Sequence, residues 1–411
     1  MHASVTTDPD YKRFCRGELE NPYPLYDRLR EQDALHWSER MQLWLVTRYE
    51  DVSAGLRDDA RLSSNREGMY TDVLDDENKR RVGPLLAHLN QWMLNVDGAA
   101  HVRFRTLVNL AFTPRMIKQL QPDIEQAIDE LLDQLIAARR FDFVEQFCFP
   151  LPAYVICRML GMPREKSHLL HEHSRALADF SGAAGPSLNQ QVTRATDGLR
   201  QLTNYFDELI EQRRREPGDD LISAMLAAED KGDRLTKEEL FAMCVFLYIA
   251  GHSTTAGVLA NGIWLFTQFP EQFTKLTGDP ERYAESAVEE ILRFESPVPR
   301  GVRRALVDFE WQGRQIQAGQ TMMLLIGSAN RDPRQFPNPE RFDIQRAPNK
   351  HLAFGFGKHF CLGAPLARLE AAAVLKKIAA RRIHLRLAGQ PRWVTRHGLR
   401  SLASFPLEIA A

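Results

Sequence analysis

The stretch Phe354-Gly355-Phe356-Gly357-Lys358-His359-Phe360-Cys361-Leu362-Gly363 decides how the rest of the chain is read. Its glycines at 355, 357 and 363 permit close backbone approach or positive φ. Directly after it, Ala364-Pro365 opens a helical pattern through LARLEAAAVLKKIAA, and Pro365 suits a first helical turn, where a missing N–H costs nothing. A cysteine at the mouth of a helix feels the positive end of the dipole and nearby backbone N–H groups, so its thiolate is favoured. Phe354, Phe356 and Phe360 are expected to exclude water from it. Such a thiolate suits a soft metal ligand. A nucleophile would need a His base and an orienting group, and an inert buried thiol is the plainer alternative.

The frame resembles the haem-ligand loop of the cytochrome P450 superfamily, Phe-x-x-Gly-x-x-x-Cys-x-Gly, at Phe354, Gly357, Cys361 and Gly363. The resemblance implies haem b, with Cys361 as the axial ligand of the iron and Phe354, Gly355 and Gly363 in the loop around it. Three further motifs stand before it, in family order along the chain. Glu290-Ile-Leu-Arg293 puts an acid and a base on one helix face, a routine surface pair unless Ile291, Leu292 and Phe294 bury it. In the family such a pair meets a second arginine from a Pro-Glu-Arg-Phe segment, here Pro339-Glu340-Arg341-Phe342, so Glu290, Arg293 and Arg341 are structural by resemblance. His101 and Arg105, four apart on one helix face, read alone as an exposed basic face. By resemblance they bind the haem propionates, together with Arg303 and His359.

The third motif lies in the segment from Thr236. Thr236-x-x-Glu239 is a capping box, and Phe269-Pro270 closes the segment about 32 residues on, a rod of ~48 Å. It is apolar nearly all round, which predicts central burial. At its centre, Gly251 precedes hydroxyl residues, either opening the helix ladder to water or packing against another helix. The resemblance makes Thr254 the oxygen-activating residue. Family members usually carry an acid before that threonine; here the position is Ser253. Ser253, His252 and ordered water are then expected to carry protons in its place, or the chemistry is altered. Phe246, Ile249 and Ala250 on this helix, Val298 in the 298–301 segment, and Leu399 are the expected substrate pocket, with residues 66–95 at its entrance.

Composition agrees with a soluble enzyme, at 44% hydrophobic and 26% charged residues. A net charge of −1 argues against nucleic-acid or anionic-membrane binding. Five scattered cysteines fit a reducing compartment, and the N-terminus has no signal-peptide pattern, so a cytoplasmic location is expected. The strongly apolar run 241–250 is about half a bilayer span. From Lys350 onward eleven Lys and Arg face two acids, either a solvated surface or, with Lys358, Arg368, Lys376 and Lys377, a positive docking face. A helix would place His168 and His171 near each other but His173 elsewhere, and no cysteine supports them, so zinc is not expected.

Strands are expected at 43–47 and 321–326, helices at 99–111, 123–139, 197–214, 237–268 and 281–294, and loops at 181–186 and 216–219. With no linker and no repeat, residues 1–411 read as a single mainly α domain with small β-sheets (α+β), its strands mostly near the N-terminus and after residue 300. The resemblance implies a monomeric haem-thiolate monooxygenase that oxidises a small apolar or natural-product substrate with O2. Electrons are expected from NAD(P)H through a ferredoxin reductase and a ferredoxin. The rival expectations are a peroxide-driven peroxygenase and a haem-thiolate sensor without turnover.

Overall fold

The computed structural model describes residues 8–67, 76–167, 172–174, 176–177, 180, 188–228, 232–394 and 398–409. His168, His171, the 181–186 segment and residues 68–75 of the expected entrance lie outside them. Among the described residues no group of three or more His, Cys, Asp or Glu side chains could together hold a metal ion.

The longest helix among the described residues is Lys237–Gln268, with the predicted ends. Its capping box is closed from both sides. The Glu239 N–H donates to Thr236 Oγ1 at 3.2 Å, and the Thr236 N–H donates to Glu239 Oε2 at 2.8 Å. The helix is long and apolar enough to cross a membrane, but 72% of its most apolar window is buried inside the protein, so it serves as core. Gly98–Ala111 and Pro280–Phe294 also match expectation; Asp279 caps the latter by accepting from the Arg282 N–H at 3.2 Å. Two helices begin earlier than predicted, at Pro114–Ala138 and Leu188–Arg215. Pro122 lies inside the first, where a proline ordinarily argues for a break.

Twelve short strands complete the described residues: β1 (Leu35–Ser38), β2 (Leu43–Val46), β3 (Leu62–Ser63), β4 (Arg140–Asp142), β5 (Gly301–Ala305), β6 (Phe309–Trp311), β7 (Arg314–Ile316), β8 (Thr321–Leu324), β9 (Leu385–Leu387), β10 (Arg392–Trp393), β11 (Leu402–Ser404) and β12 (Pro406–Ile409). The largest sheet has the order β1-β2-β8-β5-β3, and β4-β12-β9, β6-β7 and β10-β11 form the others. The two strands legible in the sequence, β2 and β8, pair parallel, Leu43 opposite Thr321 and Val46 opposite Leu324. As an inner strand β8 is covered on both faces. Met322 and Leu324 enter a cluster with Val52, Leu56 and Ile326, while Met323 joins Tyr26, Leu29 and Leu45 on the other side.

The chain forms two compact units interleaved in sequence. One comprises Met1–Leu62, Glu125–Leu151 and Thr254–Ala411, and the other Ser63–Ile124 and Pro152–Ser253. Within the second, Arg103 ties the Gly98–Ala111 helix to the start of the long helix. Its guanidinium pairs with Asp233, donates to both Glu239 oxygens at 2.8 and 3.0 Å, and reaches the Arg234 carbonyl at 2.7 Å. His88 in the same unit is buried and held neutral, its pKa pulled down to about 4 by burial. Its Nε2 accepts from the Trp92 indole N–H at 3.1 Å, and indole can only donate.

Candidate active site

Cys361 is an exposed thiol outside any disulfide, whereas Cys148, Cys157 and Cys244 are buried and Cys15 half-buried. Burial pushes the thiols of those four up, that of Cys157 to about 12. The sulfur offered to an incoming ligand or metal is therefore that of Cys361. Its amide donates to the Phe354 carbonyl at 2.9 Å, closing the loop into a hairpin-like turn. Gly357 is required twice there. Its φ is +73°, and a Cβ would lie 3.1 Å from the Leu56 carbonyl oxygen, so a side chain there would be strained and would press on the Tyr49–Arg57 helix. Gly355 also has positive φ, whereas Gly363 does not; a Cβ on Gly363 would stand 4.0 Å from the Cys361 sulfur. Pro365 lies in the first turn of the Ala364–Ala380 helix, as predicted. The expectation of three shielding phenylalanines is corrected: Phe356 and Phe360 are exposed, and Phe354 alone packs inward.

Phe354 is fixed by a network that sequence reading missed. The Arg368 guanidinium lies over its ring at 4.5 Å and forks onto Glu289 at 2.6 and 2.8 Å, and His351 Nε2 joins Glu289 at 3.1 Å. Burial opposes ionisation of Glu289, but the Arg368 and His351 hydrogen bonds prevail and hold its carboxyl down at about 2. Arg368 in turn feels the charge of Cys361. Arg368, expected as part of a positive docking face, is thus already engaged in an ion pair within the chain. The other three are matched as well: Lys358 with Asp59, Lys376 with Glu281 and Lys377 with Asp129. Each of these four cations is thus paired with an acid from upstream in the chain.

Glu290 and Arg293 are both fully buried and joined by two hydrogen bonds of 2.8 Å. The second guanidinium on Glu290 belongs to Arg346, at 3.1 and 3.2 Å, and not to Arg341. Arg341 is exposed and faces Asp343; only its backbone carbonyl enters the network, accepting from Arg293 and Arg346. The Pro-Glu-Arg-Phe motif points to Arg341, but Arg346 is the residue that the following turns carry back to the carboxylate. Asn349 and the Asp343 amide supply two further donors to Glu290, at 3.1 and 3.0 Å.

On the long helix, residues 242–263 are buried except Phe246, Ala250, Gly251, Ser253 and Thr254. Phe246, Ala250, Ser253 and Thr254 follow the i, i+4, i+7, i+8 spacing of one helical face. The helix runs unbroken through Gly251, where a Cβ would meet Ile156 Cδ1 at 2.9 Å, so packing explains that glycine. Two expected residues fall off the stripe. Ile249 is buried. His252 is buried too, its Nδ1–H donating to the Tyr248 carbonyl at 2.7 Å, and positions two apart do not share a face. Gly257, one turn beyond Thr254, is where the other pocket segments converge. A Cβ there would touch Pro297 at 3.0 Å and Ser401 at 3.5 Å, and the Arg400 N–H donates to the Pro297 carbonyl at 2.8 Å. Leu399 and Pro299 line one crevice with Arg300 and Tyr26, and Val298 is half-buried beside them.

Each unit holds part of the expected propionate set. In the second unit, His101 is 3% exposed and Arg105 half-buried, four apart on the Gly98–Ala111 helix. That helix starts beside Asp97, whose carboxylate gathers Ser63 and the Ser64 amide and hydroxyl. In the first unit, Arg303 on β5 is 6% exposed, with Nη1 donating to the Val302 carbonyl at 2.9 Å, and His359 ends the Gly357–His359 turn.

A family model described as Cytochrome P450 matches residues 69–381. The polyketide biosynthesis cytochrome P450 PksS of Bacillus subtilis is 37% identical, over 95% of this chain and 96% of its own length. The chain belongs to the cytochrome P450 family. The biotin biosynthesis cytochrome P450 of Bacillus subtilis is 38% identical, over 95% of this chain and 96% of its own length. Among solved structures, P450BioI in complex with hexadec-9Z-enoic acid ligated acyl carrier protein superposes with a TM-score of 0.86 at 37% identity, covering 94% of this chain and 98% of that one. The cofactor of this P450 is haem b, and its reaction class is that of a monooxygenase. The residues present fit the cofactor: an exposed thiol in a glycine-locked loop at a helix mouth, and in each unit a buried and a half-buried cationic or donor group suited to a carboxylate.

Proposed function

We propose that this P450 is a single-domain, monomeric cytoplasmic enzyme that inserts one oxygen atom of O2 into a small apolar or natural-product substrate. Electrons come from NAD(P)H through a ferredoxin reductase and a ferredoxin. The observation that carries this reading is the half-exposed stripe Phe246-Ala250-Ser253-Thr254 on an otherwise buried helix centre. Phe246 and Ala250 offer it apolar surface and shape, Ser253 and Thr254 hydroxyls. The names of the relatives support the substrate class: a polyketide biosynthesis enzyme, and a structure of CYP109E1 from Bacillus megaterium in complex with testosterone, 30% identical with a TM-score of 0.83 over 95% of this chain and 100% of that one.

When bound, haem b supplies the activation of dioxygen and the transfer of one oxygen atom to carbon. Cys361 would be its thiolate ligand; His101, Arg105, Arg303 and His359 would hold its propionates. Thr254 Oγ is the group that donates a hydrogen bond at the oxygen side and passes protons on, with Ser253 next to it as the relay hydroxyl. His252 is left out of that relay, since it is buried on another face of the helix than Thr254.

The test is product formed per NAD(P)H consumed in a mixture with reductase and ferredoxin, with peroxide assayed in parallel. A steady NAD(P)H-dependent product excludes a sensor, and product from peroxide alone at the same rate makes the protein a peroxygenase. A second arm concerns Ser253. A positioned acid contributes about 10²–10⁴-fold to proton transfer, so wild type is expected to leak reducing equivalents as peroxide. Ser253→Glu is expected to raise the fraction reaching product. Tight coupling in wild type that the glutamate lowers would refute the impaired relay and assign proton delivery to the substrate or to ordered water.

A further inference from the structure

Glu370 has no place in the chemistry above. It lies on the Ala364–Ala380 helix, which leads away from the Cys361 loop, in the four-spaced buried row Leu366, Glu370, Val374, Ile378. It is 1% exposed, and its Oε2 has no hydrogen-bond partner among the described residues. A packing position calls for leucine, and a structural carboxylate is paired; Glu370 is neither.

The charged groups on the elements packed against this helix are engaged elsewhere. On Pro280–Phe294, Glu281 is held by Lys376, Glu289 by Arg368 and His351, and Glu290 by Arg293, while Arg282 and Glu285 are exposed. On Pro270–Gly278, Glu271 is exposed and Lys275 bonds Gln345. Asp129 and Asp133 of Pro114–Ala138 are taken by Lys377 and Arg381. Burial alone therefore acts on Glu370, and it raises the carboxyl to about 8.

Glu370 stands six residues into the helix, ~9 Å along its axis from the turn that presents Cys361. At that range through protein rather than salt water, a unit charge gained at one end is felt at the other. We propose that Glu370, wherever it stands ionised in the oxidised protein, takes up a proton when the centre bound by Cys361 gains an electron, so that the charge of this region stays constant. The balance is one electron from the reductant to that centre and one proton from solvent to the Glu370 carboxylate, giving the neutral acid. Well below about pH 8 the carboxyl is protonated in both redox states, and the potential does not depend on it. Above pH 8 the oxidised form carries the carboxylate, reduction draws in a proton, and the potential falls with pH. The limit is tenfold in the reduction equilibrium per pH unit, ~59 mV for one electron.

The inference rests on Cys361 as the haem ligand, and the test separates the two. The midpoint potential of the haem-loaded protein is measured by spectroelectrochemistry from pH 7 to 10 in wild type, Glu370→Gln and Glu370→Leu. The carbon-monoxide-bound reduced spectrum is recorded for every sample, and infrared difference spectra of reduction follow the carboxylic acid C=O stretch. The wild type is expected to show the slope above pH 8 and a carboxyl band gained on reduction. Both variants are expected to lose the band and at least half of the slope. An unchanged slope in either variant with the thiolate-type carbon monoxide spectrum intact overturns the proposal alone. A wild type lacking that spectrum overturns the Cys361 reading and this proposal with it.

Discussion

Glu290→Ala is expected to leave too little stability for a folded, haem-loaded protein to accumulate. The carboxylate is fully buried and is reached by Arg293, Arg346, Asn349 and the Asp343 amide. Removing it strands two guanidiniums. Arg293 has no exposure with which to recover water, and burial already pulls its pKa down. Breaking one side of such a pair costs about 3–5 kcal/mol, a large part of the 5–15 kcal/mol that holds a domain together. The damage also spreads along the chain. Arg293 donates to the carbonyls of Asn330, Pro339 and Arg341, so it braces the turns that run toward the cysteine loop. Glu290→Gln keeps the shape and loses the charge, and should fall between. The measurement is the urea midpoint with haem content read in parallel; an alanine variant within about 1 kcal/mol of wild type would contradict the account. The exposed Arg341 gives the control: Arg341→Ala is expected to change stability by less than about 0.5 kcal/mol, because its backbone carbonyl, which the network uses, remains.

What the sequence disclosed follows from how local the cause is. The Lys237–Gln268 helix was legible to the residue because both ends are set by neighbours in sequence, the Thr236–Glu239 box and Pro270. β2 and β8 were legible because each runs apolar on both faces, as inner strands must, but their parallel pairing joins positions far apart and left no local mark. Strands of two or three residues such as β3 and β10 carry too few positions to show a period. The site divides the same way. Helical spacing already sets His252 and Thr254 on different faces, so a wheel drawn on the sequence would have removed His252 from the relay. No such signal separates Arg341 from Arg346, five residues apart in an irregular segment, and only the folded turns show which guanidinium returns to Glu290. The tie from Glu289 through Arg368 to Phe354 was hidden because its members come from three separate segments.

Cys361→Ser is expected to abolish the thiolate-type absorbance of the carbon-monoxide-bound reduced protein and with it all NAD(P)H-dependent product. A serine hydroxyl keeps the size of the side chain and can still touch iron, but it lacks the thiolate that donates electron density toward the bound oxygen. The rest of the protein should be spared. The turn is held by the Cys361 amide on the Phe354 carbonyl and by Gly357 against Leu56, neither of which involves sulfur, and the side chain is exposed. Unfolding midpoints of the apo forms should therefore agree to about 0.5 kcal/mol, and the loss would be one of chemistry. Gly357→Ala supplies the complementary case. It keeps the sulfur but asks a side chain to adopt a φ of +73° and to press on the Leu56 carbonyl. Strain at such a position costs about 1–3 kcal/mol, so this variant should lose haem affinity and stability while any haem it retains gives the wild-type spectrum. If Cys361→Ser kept the thiolate-type spectrum, the ligand would have to be another sulfur. The remaining cysteines are buried or half-buried with raised pKa values, so such a result would mean that the haem sits somewhere other than at this loop.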